Sequence, residues 1–272
     1  MAVDGPVDAP APLPQPVHYA SVGWALAHPA GPVVVRVTAA ADLTATSGLD
    51  PARIVAIEVP LHLADARWPD DVPLDVVLTD PSREAAGLYA LVPVSRQRPV
   101  RVTVPGRPGL ARASRIAMAL HLPVRLLTPQ PAPEVLADLD DVLEVYLHGE
   151  QTTAPVEFLQ SALAWWLHGD APPAWVALEL DPDWFPRIAD DAADTGAWPA
   201  PEPGFVAARL ARLVEAGAEC TTCRFVDWCQ GFFKWPDPAH LCAGGVTRLL
   251  ARIEDSAAQL TRDLDEARGL EP

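Results

Sequence analysis

Cys220, Cys223, Cys229 and Cys242 are the only thiols in a chain of 272 residues, and none occurs in the first 219. Thiols gathered so late and so closely act together, as a metal centre or as a pair of disulfides. Cys220 and Cys223 have C-x-x-C spacing, which lets two sulfurs leave one tight turn toward the same ion or cluster. Cys229 follows after five residues and Cys242 after twelve more. Four thiolates can close a tetrahedral zinc site or hold the irons of a [4Fe–4S] cubane. Zinc modules usually carry a second close-spaced pair, and this segment has only one. Phe225, Trp228, Phe232, Phe233 and Trp235 crowd the intervening sequence, and a dry aromatic shell limits solvent access to a cluster. Arg224 and Lys234, the only lysine in the chain, can offset a cluster's negative charge. The spacing therefore favours a [4Fe–4S] cluster over zinc, and either over disulfides. A centre that only staples a loop-rich region, with no chemistry of its own, fits the same residues.

The rest of the chain must position that segment. With 50% hydrophobic residues it can bury a full core in one large domain, or in a domain with an appendage. No apolar run is long enough to span a bilayer. The N-terminus shows no basic region followed by an apolar stretch, so no signal peptide is expected, and clustered thiols without one fit a reducing cytoplasm. A net charge of −16 argues against general binding to nucleic acid or anionic membranes. The span between Glu84 and Glu134 holds no acidic residue but carries Arg96, Arg98, Arg101, Arg107, Arg112, Arg115 and Arg125. It reads either as a basic face for an acidic peptide or phosphorylated ligand, or, more simply, as arginines paired with the acidic remainder.

Residues 1–16 form a Pro/Ala-rich tail expected to be disordered. Short apolar runs follow at Val33–Val37, Ile54–Val59, Leu74–Leu78, Val100–Val104 and Val124–Leu127. Runs that are mostly apolar predict strands buried on both faces, as in a parallel sheet. The segment Gly109–Leu120 has a helical apolar face framed by Pro108 and Pro123. The alternation predicts an α/β domain over residues 17–170, either a partial (β/α) barrel or an open parallel sheet. Helices are predicted over Glu134–Leu147 and Pro155–Leu167, with the Trp165-Trp166 pair read as packing rather than as a cofactor platform. A Pro-rich connector spans residues 171–204. Residues 205–272 make the cysteine module, entered by a helix over Phe205–Ala216. They end in an amphipathic helix from Val246 to about Ala267, with Val246, Leu249, Leu250, Ile253, Ala257, Leu260 and Leu264 as its stripe.

Standard catalytic signatures are missing: no G-x-S-x-G, H-E-x-x-H, phosphate-binding or dinucleotide glycine motif occurs. The seven histidines are scattered, and only His240 lies near a cysteine. Asp140-Asp141 and Asp190-Asp191 read as solvated carboxylates.

The C-x2-C-x5-C-x12-C segment, with Gly231-Phe232-Phe233-Lys234 and a following Pro-Asp, resembles the auxiliary-cluster region of radical-SAM enzymes of the SPASM/twitch type. That resemblance implies a partial barrel first and a cluster-binding extension after it, with Cys220, Cys223, Cys229 and Cys242 as metal ligands. Family enzymes also carry C-x-x-x-C-x-x-C after the first barrel strand, often as T-x-x-C-N-L-x-C-x-x-C. Aligned on Thr38 and Asp42-Leu43, those positions fall on Ala41, Ala45 and Gly48. None can ligate iron, so the resemblance is to a degenerate relative without radical initiation. It implies a non-radical iron–sulfur accessory or scaffold protein that binds a peptide or partner enzyme in peptide modification or natural-product biosynthesis. Strand addition at an open sheet edge is one route for the peptide. Two alternatives stay open. One is an enzyme that uses the cluster for electron transfer or Lewis-acid chemistry, with Cys242 left off the iron. The other is a zinc-stapled structural or interaction protein.

Overall fold

The computed structural model of the chain describes residues 18–69, 72–128, 130–149, 154–169, 197–198, 205–235 and 237–269. The N-terminal tail, Asp190-Asp191 and all but two residues of the connector lie outside them. The elements run β1 (His18–Ser21), α1 (Val22–Ala27), β2 (Val33–Arg36), α2 (Ala40–Thr46), β3 (Ile54–Pro60), β4 (Leu74–Val77), α3 (Pro81–Glu84), α4 (Val92–Ser95), β5 (Val100–Pro105), α5 (Leu110–Ala119) and β6 (Val124–Leu127). There follow α6 (Pro133–His148), α7 (Glu157–His168), β7 (Ala197–Trp198), α8 (Phe205–Glu215), α9 (Val226–Cys229) and α10 (Val246–Ala267). Among the described residues no helix is long and apolar enough to cross a membrane.

Strands β1 to β6 pair in sequence order and all in parallel, giving an open α/β sheet with β7 added antiparallel to β1. Crossovers between successive parallel neighbours are ordinarily right-handed, which puts the connecting helices of such a sheet on one face. That face is apolar. Val35, Ile57, Leu74 and Val100 lie in register across it, as do Val59, Val76, Val102 and Val124, and all are buried. Helix α5 lies against β5 and β6, and α6 packs on α5. The start of α5 is set by Gly109, whose φ is +91° and whose Cβ, if present, would stand 2.6 Å from Ser82 Cα. Only glycine meets both conditions without strain.

The opposite face is charged, which the apolar runs did not predict. Arg36, Glu58, Asp75 and Arg101 are ladder partners across β2 to β5, and Thr103 is the partner of Arg125. Arg36 Nε meets Glu58 Oε1 at 2.5 Å. Deeper in, Asp75 accepts from Arg101 at 2.6 Å, from Arg125 at 3.0 Å and from Thr103 at 2.6 Å. Arg101 also reaches Glu157 at 2.7 Å. Asp75, Arg101, Arg125 and Glu157 are all buried, so each charge depends on its partners. Burial pushes the Asp75 carboxyl up, but Arg101 and Arg125 outweigh it and hold the group below its ordinary value. For Glu157 burial wins and the carboxyl sits above its ordinary value.

Five of the seven arginines of the acid-free span have internal partners, three of them carboxylates. Besides Arg101 and Arg125, Arg98 donates to the carbonyls of Pro69 and Val72, Arg107 to that of Thr79, and Arg115 pairs with Asp141. Asp140, the neighbour of Asp141, pairs with Arg252 at 2.9 Å.

One expectation needs correction. The strand Val33–Arg36 is the second of the sheet, because β1 precedes it. The window containing Ala41, Ala45 and Gly48 therefore follows the second strand, while the first ends on Ser21, whose side chain caps α1 by accepting from Trp24 N–H. Neither that window nor the junction of β1 with α1 contains a thiol. At the sheet edges, β7 pairs with Tyr19 and Ala20 only, and Val156 makes a single bridge to Val124.

Asp75→Asn tests the charged face. It leaves two buried guanidinium groups short of a counter-charge, and it should cost about 3–5 kcal/mol in urea unfolding. Because the folded pKa of Asp75 is depressed, its contribution is complete above the ordinary carboxylate range and is lost as pH falls through the folded value. The variant should therefore show a flatter acid limb than the wild type. A variant as stable as the wild type, with the same acid limb, would refute the assignment.

Candidate metal centre

Helix α8 brings the chain to the cysteine segment. Its Arg209 donates to the Lys234 carbonyl and lies 4.4 Å over the Trp235 ring. Its Leu213 passes so close to the turn at Gly231 that a Cβ there would stand 2.7 Å from Leu213 Cδ1. Gly231 also has φ +79°, a conformation that glycine adopts without strain. Short 3-10 turns at Glu219–Thr222 and Phe232–Lys234 flank α9.

The aromatic residues of the segment are mostly its foundation. Trp228 and Phe233 are fully buried and meet Phe158 of α7 edge-on, with ring centroids 5.6 and 6.0 Å apart. Trp166 contacts Phe225 and Trp228 at 6.0 and 5.7 Å, so it serves packing. Helix α10 packs along α7 through Val246, Leu249, Leu250, Ile253 and Ala257. Leu260 and Leu264, the rest of its stripe, are exposed. The stripe thus serves the body only over the first part of the helix. Phe225, Trp228, Phe233, Cys242 and Val246 belong to the same continuous apolar core as the sheet.

All four cysteines line one cavity of about 290 Å³. Phe225, Val226, Phe233, Val246 and Leu250 supply much of its apolar wall, and Glu219, Arg224 and Lys234 its charged groups. All four thiols are free, with Cys220 and Cys242 buried and Cys223 and Cys229 half-buried. Among the described residues, no three His, Cys, Asp or Glu side chains are grouped to hold a single metal ion. The four thiols share one cavity wall, a donor set that either a cluster or a tetrahedral ion can use.

The lining contains a pair that spacing alone did not reveal. Lys234 is buried, and its Nζ meets Glu219 Oε1 at 2.8 Å and donates to the His240 carbonyl. The same Glu219 oxygen accepts the Cys242 backbone N–H at 2.6 Å. His240 contributes its carbonyl to this arrangement, and its ring is not part of the cavity lining. Arg224 lines the cavity too, but its guanidinium pairs with Glu254 of α10 at 2.8 Å. Lys234 is therefore the more enclosed of the two expected counter-charges.

Without a metal, Cys220, Cys229 and Cys242 resist ionisation. Burial pushes Cys229 up to about 11. Burial, with Cys229 and Glu219 adding to it, pushes Cys242 up to about 12. Cys220 is raised by burial as well, with Lys234 opposing the shift. At pH 8 a thiol with a pKa near 11 is thiolate in only about one part per thousand. In metal-free protein, alkylation of Cys229 and Cys242 followed by peptide mass mapping should therefore be slow, and should accelerate about tenfold per pH unit. Rapid labelling of both at neutral pH would contradict the burial described.

No protein-family model, curated protein or solved structure matches the chain.

Proposed function

We propose that the chain is a non-radical iron–sulfur protein whose four late cysteines hold one [4Fe–4S] cluster, acting as an accessory or scaffold for a peptide or partner enzyme. The observation that carries this reading is the meeting of Cys220, Cys223, Cys229 and Cys242 on the wall of one cavity. When bound, the cluster would supply a redox-active or structural iron core. The chain's own residues would ligate it, screen it with Phe225 and Phe233, and balance its charge with Lys234. The six parallel strands in sequence order support the resemblance to a partial (β/α) barrel followed by an auxiliary-cluster module. The loops after β1 and β2 carry no thiol, which supports a role without radical initiation.

Partner binding can be sought beside the cluster as well as at the sheet edges, of which β7 and Val156 cover only a few residues. Next to Cys242, Leu241 is 77% exposed. A reading in which Cys242 stays off the iron has less support, since its N–H is tied to Glu219 and its side chain lines the cavity. Zinc has less support because the segment carries one close-spaced cysteine pair where zinc modules usually carry two.

Anaerobic reconstitution with iron and sulfide checks the reading. The wild type should take up about four irons and four sulfides per chain, with broad visible absorption. Cys229→Ala should lose most of that absorption. One zinc and no iron in protein purified and reconstituted this way would defeat the proposal.

A further inference from the structure

The thiol cavity holds one more arrangement, and the inference drawn from it rests on the cluster reading above. Cys220 and Cys242 lie at opposite ends of the cysteine segment, yet one carboxylate oxygen joins their surroundings. Glu219 immediately precedes Cys220, and its Oε1 accepts both the Cys242 N–H at 2.6 Å and the Lys234 ammonium at 2.8 Å. Lys234 in turn donates to the carbonyl of His240, two residues before Cys242. Two bonds thus fix the backbone that delivers the last thiol, one on each side of Leu241. The Lys234 side chain is only 3% exposed, against 29% for Glu219. A buried ammonium costs several kcal/mol unless it is paired, so the pair locks as a unit.

The identity of the cation fits this role. The chain has a single lysine among 20 lysines and arginines, and that lysine lines the cavity. An ammonium is a compact point charge with three rotatable donors, whereas a guanidinium is a wide planar fork. The carboxylate and the carbonyl it bonds lie on different segments, and a compact donor serves both.

We propose that Glu219 and Lys234 are positioning residues that clamp Cys242 as the fourth ligand of the cluster and set the electrostatic balance at the iron core. Because Glu219 uses one oxygen for both bonds, a glutamine amide oxygen can replace it geometrically while removing the charge. Alanine removes both functions.

The test uses the full chain, reconstituted anaerobically, with far-UV circular dichroism to verify folding. It compares the wild type with Glu219→Gln, Glu219→Ala and Lys234→Met. Glu219→Ala should lose about one iron in four and develop the EPR signal of an oxidised three-iron cluster on mild oxidation. Glu219→Gln should keep the wild-type iron content. Removing the negative charge in Glu219→Gln should raise the midpoint potential, and removing the positive charge in Lys234→Met should lower it, since added negative charge disfavours the reduced cluster. A generally loosened fold would not move the two potentials in opposite directions. Wild-type iron content, spectra and potential in all three variants would overturn the clamp and leave the cluster reading standing. Failure of the wild type itself to bind iron would sink both.

Discussion

Four thiols and one ammonium share the wall of a cavity otherwise made largely of aromatic and aliphatic side chains. That coexistence is the constraint on which the rest of the structure depends. Burying thiols is inexpensive, because neutral cysteine behaves as a small apolar residue. Ionising Cys229 and Cys242 there is costly, as their elevated positions show. A bound cation or cluster removes that penalty by supplying positive charge where the thiolates form. The foundation of the cavity is packed onto α7. Trp228 and Phe233 meet Phe158 edge-on, and α10 lies along α7. The site is thus built onto the core of the sheet domain.

Much of this was legible in the sequence. Five of the six parallel strands follow apolar runs within a residue or so at each end, since β-branched runs between breakers have few other uses. The helices α5, α6, α7, α8 and α10 follow equally well, because their apolar residues repeat at helical spacing. The four cysteines were visible as a group because no other thiol competes with them.

What stayed hidden has physical reasons. Strand β1 is four residues long and begins with His18 and Tyr19, so it has no apolar run to betray it. The charged sheet face was disguised because each of β2 to β6 carries only one or two polar residues within valine and leucine. A single charge in an apolar run looks like a surface position, whereas here Asp75 of β4, Arg101 of β5 and Arg125 of β6 pair with one another, and Glu157 balances the second guanidinium. The recurrence of one charge per strand was the available signal. The Glu219–Lys234 pair was hidden because fifteen residues separate its members, and only the fold of the cysteine segment closes them. The exposed end of α10 was hidden because periodicity shows which residues share a face, and does not show where the body beneath that face ends.

The central claim is that the four sulfurs surround one iron–sulfur core. X-ray absorption spectroscopy at the iron and zinc edges, on protein purified without exposure to air, tests it most directly. The account predicts an iron edge with a sulfur shell and a short iron–iron shell. A zinc edge with four sulfurs at about 2.3 Å, or thiols found joined as disulfides with no metal at either edge, would contradict it.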